Sequence, residues 1–520
     1  MRGRLLIAVP MLCCLLGALA AGSGGAAKPK PVRTSITFGV TEDATKYAED
    51  GGNLYFRAMR DLGMSNDRVN IFWDETTPTQ ILEQPFIDRM MPVAAADRIR
   101  IVFAIQALRA RAFATDTAAR VAAFAAYVKE VALRYPQVRE FVIGNEPNVR
   151  RFFQPQHAAN GTIVSAGIYE QVLAASYDAL KSVDPRIQVD GLALSPQGND
   201  QPLGTGAESV SPVRFIAALG AAYRQSGRTT PIADAVDIHS YAAVNTFPLT
   251  KPRKWPQAGP ADLDRLKQAW WDAFNGTAQP LFQETGQTTG PGATYVKFRI
   301  DESGTQVAID PTKVNPKLYT GHENVPTVSE ATQAQYYTGV VNLLKCDPSV
   351  ATLDFFHLVD EPQLLGFQSG LLRVDDSRRP SYYAVKKAIA SARTCAKPHT
   401  WRHVTTVIGA RGVFNVTPKL AMQRVFWATA GTGEEATAEV GIFPARGTQA
   451  FDQIRQSLAG SPSGAQALMQ LGGRVKANSS RTFKFHGRLA PGRYVFAVLL
   501  RSTMNPARTS LIVSKPFLIY

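Results

Sequence analysis

The chain has little of what most readily announces a chemistry. Its seven histidines are scattered, with neither a His-x-His pair nor a His-Glu-x-x-His grouping, so no metal centre is expected. No Gly-x-Ser-x-Gly turn is present, which argues against an α/β-type serine hydrolase. No glycine fingerprint for a dinucleotide follows the first apolar run, which weakens a Rossmann reading, and no cofactor is expected. Beyond the N-terminus no run is long and apolar enough to span a bilayer, so no membrane span is expected. Cysteines are few. Cys13 and Cys14 lie in the apolar N-terminal segment, leaving Cys346 and Cys395; in an oxidising compartment these two suggest one disulfide, with two separate buried thiols as the alternative.

The N-terminal segment has Arg2 and Arg4, then "LLIAVPMLCCLLGALAA", with Ala18-Leu19-Ala20 suited to cleavage. It reads as an export signal, so residues 1–27 are set aside as signal peptide and flexible N-terminus, and a secreted, extracellular protein is expected. Acids are also in deficit: 42 against 57 Lys and Arg, a net charge of +15. The imbalance is local. From His399 to Tyr520 fifteen basic residues face four acids. The C-terminal part is therefore expected to contact an anionic polymer or cell wall, or else to be simply a soluble basic surface. No nucleic acid is expected as a partner.

At 520 residues, 45% of them apolar, the chain should fold as one large domain plus at least one smaller one. Short apolar runs alternate with long amphipathic ones up to about residue 398. Eight runs read as strands: "TSITFGV", "DRVNIFW", "IRIVFAIQ", "VREFVIG", "IQVDGLAL", "AVDIHSYA", "PLFQE" and "ATLDFFHLV". Between the third and fourth, Val121, Phe124, Val128 and Val131 recur on one helical face. Thr327 and Glu330 have capping-box spacing before another helix. Eight such units predict an α/β fold, a (β/α)₈ TIM barrel over 28–398 with enlarged loops. In the loop after the seventh run, "TYVKFRIDESGTQVAID" predicts a hairpin turning at Ser303-Gly304, and Tyr295, Phe298 and Tyr319 could stack on a ligand or pack the loop itself. Over 399–520 the helical period disappears and short runs such as "RVFWATA" and "GRYVFAVLL" predict a basic β-sandwich, immunoglobulin- or fibronectin-like.

Side chains at the C-terminal ends of barrel strands converge on one mouth. Glu146 follows the fourth run in "IGNEPN" and Glu284 ends the seventh in "QETG". Two carboxylates facing each other suit glycoside hydrolysis, one protonated to donate to the leaving oxygen and the other ionised to attack carbon. Apolar surroundings are expected to keep Glu146 protonated near neutral pH. Asp360 and Glu361, after the eighth run, are rivals for the nucleophile.

"IGNEPN" and "QETG" resemble the strand-four and strand-seven motifs of the clan A glycoside hydrolases, retaining (β/α)₈ enzymes that include cellulases, xylosidases and heparanase-like glucuronidases. The resemblance, over roughly Thr34 to Ala392, implies Glu146 as acid/base and Glu284 as nucleophile. It also implies Arg68 beside the nucleophile, Asn145 on the sugar 2-hydroxyl, and His239 and Tyr241 from "DIHSYA" lining the site. Many members carry a Trp at the end of strand eight, where this chain reads "LDFFHLVDEP", so Phe356 or His357 would take its place. Trp73 and Trp255 could supply stacking or be packing. The expected function is a secreted retaining hydrolase of a β-linked glycan, a carbohydrate substrate being its partner. The alternatives are an inactive carbohydrate-binding surface protein and a glucuronidase-like enzyme on acidic glycans.

Overall fold

The computed structural model describes residues 32–288, 293–415, 425–445, 451–461 and 465–519; the expected leader lies outside the described residues. Eight parallel strands close a barrel: Thr37–Thr41, Asn66–Trp73, Arg100–Ala107, Glu140–Ile143, Gln188–Leu194, Ala235–His239, Phe298–Glu302 and Val350–Phe355. These are barrel strands one to eight. Strands pair in sequence order, and the eighth closes on the first through Thr37 opposite Thr352 and Val40 opposite Phe355.

The period of two along each strand divides the molecule into two layers. Val69, Ile71 and Trp73, Phe103 and Ile105, and Phe298 and Ile300 face outward into one large core shared with the surrounding helices. The Thr117–Arg134 helix contributes Val121, Phe124, Val128 and Val131 to it, as its spacing predicts. The lumen differs. Its apolar cluster is small, formed by Val102, Ala104, Val142 and Ala193, where bulky branched residues usually dominate. The remainder is polar and bonded across the barrel: Asn66 donates to Asp354 at 2.5 Å, and Arg299 reaches Asp190 at 2.7 Å and Thr352 at 2.7 Å. Gly39 makes room for this, since a Cβ there would sit 2.1 Å from the Asn66 amide nitrogen.

Strand seven corrects the sequence reading. The run "PLFQE" contributes a single bridge, Phe282 to Val296, and the strand itself is Phe298–Glu302, placed by the sequence in a hairpin. Ser303-Gly304 is therefore the exit from a barrel strand. An apolar-run criterion passes over this strand because Arg299, Asp301 and Glu302 occupy three of its five positions; all three are buried, which is possible only because partners inside the barrel neutralise them. A smaller correction concerns the Glu330–Leu344 helix, capped by Ser329, whose hydroxyl accepts from Thr332 N at 3.2 Å. Glu330 is turned to Arg373 and Arg379 instead.

The C-terminal part is a sandwich. A three-stranded antiparallel sheet (Arg411–Asn415, Val425–Thr432, Ser479–His486) packs on a five-stranded one built around Ala436–Pro444 and Gly492–Ser502. Phe426 and Phe485 from one sheet meet Val440 and Phe496 from the other. A short helix, Phe451–Leu458, is an addition the sequence reading missed. Arg508 ties the module to the barrel, buried between Asp272 at 2.7 Å and Glu434.

Cys346 and Cys395 form a disulfide across 49 residues of sequence, with Cα atoms 5.4 Å apart. The bond joins the turn between the Glu330–Leu344 helix and barrel strand eight to the strand Thr394–Cys395, which pairs with Val32–Arg33. Closing a loop of this length restricts the unfolded chain by about 2 to 4 kcal/mol. Replacing both cysteines by alanine should therefore lower the midpoint of urea unfolding by a corresponding amount, measured against the oxidised protein.

Candidate active site

At the C-terminal end of the barrel lies a cleft of about 930 Å³ whose lining includes Asn70, Asn145, Glu146, Tyr241, Glu302 and Phe356. Its chemistry starts from the turn after strand four. Gly144 and Glu146 both adopt positive φ, 85° and 38°. For a glutamate that conformation is uncommon and mildly strained. The neighbouring strand sustains it: strand five bulges at Leu192 and Ala193, and the Ala193 carbonyl accepts from Glu146 N at 3.0 Å. The Tyr169 hydroxyl donates to Ile143 O at 2.6 Å and accepts from Leu192 N at 2.7 Å, bridging the two strands where they part. Asn148 then pins the exit, donating to Ser195 O at 3.0 Å and Val210 O at 2.8 Å.

Glu302, at the end of strand seven, is the carboxylate that faces Glu146. Tyr241 donates to its Oε2 at 2.7 Å and Arg68 Nη1 lies 3.2 Å from its Oε1. The link between the two glutamates is His239, whose Nδ1 is 2.8 Å from Glu146 Oε1 and 3.2 Å from Glu302 Oε2. The nearest oxygens of the pair are therefore no more than about 6 Å apart, set by those two contacts. Behind them, Arg68 Nε is 3.0 Å from Asp301 Oδ2, and Arg68 Nη2 donates to the Asn145 side-chain Oδ1 at 3.0 Å.

Electrostatics follow from burial. Desolvation alone would lower the His239 pKa, but the carboxylates of Glu302, Asp301 and Glu146 overcome it and raise it to about 9. His239 is accordingly an imidazolium at neutral pH, a cation held between two carboxylates. Burial, with the Glu302 charge, also pushes the Tyr241 phenol well above its ordinary value, which keeps it a hydrogen-bond donor.

Of the residues picked out from sequence, Arg68, Asn145, Glu146, His239 and Tyr241 come together here. Three do not. Glu284 lies off the barrel strands, its Oε1 paired with the His403 ring of the segment leading to the sandwich; "QETG" resembles a strand end but does not occupy one. Trp73 is fully buried outside the lumen, stacked on Phe113 with centroids 5.7 Å apart. His357 packs beneath the mouth against the Thr41 carbonyl at 3.1 Å, and Phe356 lines the cleft in its stead. Trp255 sits under Arg214, away from the cleft. The rival Asp360 is consumed by Arg379 at 2.5 Å and Tyr319 at 2.6 Å, and Glu361 accepts from Phe367 N at 2.6 Å. Tyr319 thus serves the loop's own packing. Glu302 and Asp301 were missed; an acidic pair ending the alternating run "VKFRIDE" was the available signal.

Among the described residues one His and acid grouping has ligand-like spacing, Asp264, Asp347 and His399. Lys267 already bonds both of its carboxylates, at 3.2 and 2.8 Å, so its charge is met without an ion.

No family model matches the chain, and no curated relative does. Among solved structures it is similar to a family 39 glycoside hydrolase from the gut symbiont Bacteroides cellulosilyticus WH2, at 14% identity over 88% of this chain and 81% of that one, with a TM-score of 0.46. It is also similar to the GH39 enzyme from Xanthomonas axonopodis pv. citri, at 15% identity over 93% and 99%, TM-score 0.43. A GH5_18 protein from Streptomyces cattleya, in complex with GlcNAc, matches at 16% identity over 72% and 84%, TM-score 0.45.

His239 makes the site pH-sensitive in a calculable direction. Its folded pKa of about 9 lies above the unfolded value of about 6.5, so its stabilising contribution is complete below the unfolded value and lost as pH rises through the folded one. The melting-temperature gap between the native protein and His239→Gln should therefore narrow between about pH 6.5 and 9, measured by parallel thermal melts across that range.

Proposed function

We propose that the protein is a retaining glycoside hydrolase acting on a β-linked glycan, with Glu302 as nucleophile and Glu146 as acid/base. One observation carries the reading: both carboxylates, which line the cleft, reach the same buried imidazole nitrogen. Their nearest oxygens are at most about 6 Å apart, closer than the about 6.5 Å or more that an inverting enzyme leaves for water, which supports a retaining pair. The motif around Glu146 and the placement of Arg68, His239 and Tyr241 support the same reading.

The two glutamates are held differently, and the division of labour follows. Glu302 receives Tyr241 and Arg68 on its two oxygens, which fixes the carboxylate for attack on the anomeric carbon. As that C–O bond forms, the glycosidic C–O bond breaks and Glu146 relays a proton from the His239 imidazolium on its Oε1 to the departing oxygen. Glu146 then takes a proton from water, which attacks the glycosyl ester and frees Glu302. Asn145 gives its side-chain Oδ1 to Arg68, leaving its amide hydrogens for the sugar 2-hydroxyl, an interaction that strengthens in an oxocarbenium-like transition state.

The reacting sugar is read as neutral, because Arg68 and His239 already face carboxylates. Among the described lining residues Arg151 is the one cation, and it is what a glucuronidase-like reading would rely on. The leader and the disulfide support export to an oxidising compartment.

Glu302→Ala should lower turnover of an aryl β-glycoside by at least about a thousandfold, and azide should restore part of it with a glycosyl azide of inverted configuration. Glu284→Gln should leave turnover near native. Loss of activity in Glu284→Gln with an active Glu302→Ala would reverse the assignment. A panel of neutral aryl β-glycosides beside the β-glucuronide tests the sugar, hydrolysis confined to the glucuronide being the outcome against a neutral one.

A further inference from the structure

The outer face of the three-stranded sheet carries aromatic, hydroxyl and basic side chains in register. Pairing sets its side chains in three rows across the strands: Asn415, Trp427 and Lys484; Val413, Thr429 and Thr482; Arg411, Gly431 and Ser480. Alternation points the intervening Phe426, Ala428, Ala430, Phe483 and Phe485 into the core, so these rows face out. Trp427 is 37% exposed and Val413 66% exposed. The Arg411 side chain lies over Gly431, where a Cβ would come within 2.6 Å of its Nε. The Thr429 and Thr482 hydroxyls bond each other at 2.8 Å between the aromatic and the arginine. No acid occupies the nine positions, and neither Arg411 nor Lys484 makes an ion pair among the described residues.

We propose that this face binds an acidic polysaccharide, independently of what the cleft does. The chemistry of the rows selects that occupant. From Trp427 to Gly431 the face runs about 14 Å along the strand, enough for a few sugar rings in line. An indole ring offers the flat apolar surface on which a sugar face can rest, and threonine hydroxyls supply hydrogen bonds beside it. The two unpaired cations, one at each end, match carboxylates spaced along a uronic acid chain. A neutral glycan leaves them unused. A single-stranded nucleic acid is matched less well, since successive bases call for successive aromatic side chains and the rows offer one. A protein partner would need a larger apolar patch than Trp427 and Val413 provide. The charge distribution agrees, with fifteen basic residues against four acids from His399 onward.

The test is affinity electrophoresis of the full-length protein in native gels containing polygalacturonate or neutral xylan, with turnover of a soluble aryl glycoside and the melting temperature followed in parallel. Polygalacturonate should retard the protein and xylan should not. Trp427→Ala and Lys484→Ala should each weaken the apparent affinity about tenfold, whereas Lys515→Ala, which removes the same charge off this face, should change it little. Turnover and melting temperature should stay native in all three variants. Migration unaffected by polygalacturonate would overturn the proposal. So would equal losses in Lys484→Ala and Lys515→Ala, the mark of diffuse charge adhesion, or equal displacement by a single-stranded oligonucleotide.

Discussion

A guanidinium inside a barrel is costly unless anions surround it, and Arg68 is fully buried on strand two. Removing such a charge from water costs several kcal/mol after relaxation, an amount repaid only by close, well-arranged partners. Arg68 has them in Asp301, Glu302 and Asn145. Those three residues come from strand seven and the turn after strand four, so one side chain ties together the elements that carry both glutamates. His239 adds a second cation between them. Burial raises the Asp301 pKa while Arg68 and His239 pull it down, which shows how closely the cluster's charges depend on one another.

The rest of the lumen is polar as well, with a second buried guanidinium, Arg299, paired to Asp190. Burial pushes Asp237 and Asp190 well above the carboxylate range and Asp354 up to about 8. Asp354 accepts a hydrogen bond from the Asn66 amide, and Asp190 meets Arg299 at 2.7 Å. A polar lumen thus supports the site from below, with the open cleft beyond. Strands, or the residues directly after them, hold the members of the site, and the strain at Glu146 is opposed by the bulge in strand five and the Tyr169 hydroxyl. Such placement gives the precision that reacting groups need.

The two modules divide the work. Acid and cation balance finely in the barrel, while unpaired positive charge collects on the sandwich. They are joined by specific contacts, Arg508 between Asp272 and Glu434, and His403 between the Trp271 ring at 4.0 Å and Glu284. Glu284 is therefore a joint between modules, a structural use for a carboxylate whose local sequence suggests chemistry.

Much was legible without coordinates. Seven of the eight strand runs, the sandwich, and the convergence of Glu146, Asn145, Arg68, His239 and Tyr241 all follow from periodicity, from residues placed after apolar runs, and from motif resemblance, because those signals are local. What local pattern determined was the set of elements and the fourth-strand carboxylate. Tertiary structure decided which glutamate faces it. Strand seven hides its charges by pairing Arg299 and Asp301 with residues more than fifty positions away, and a polar segment made buried by distant partners looks like a surface loop until those partners are in place. The same holds for Trp73 and His357, whose neighbours, and hence whose roles as packing, exist only once the barrel has closed.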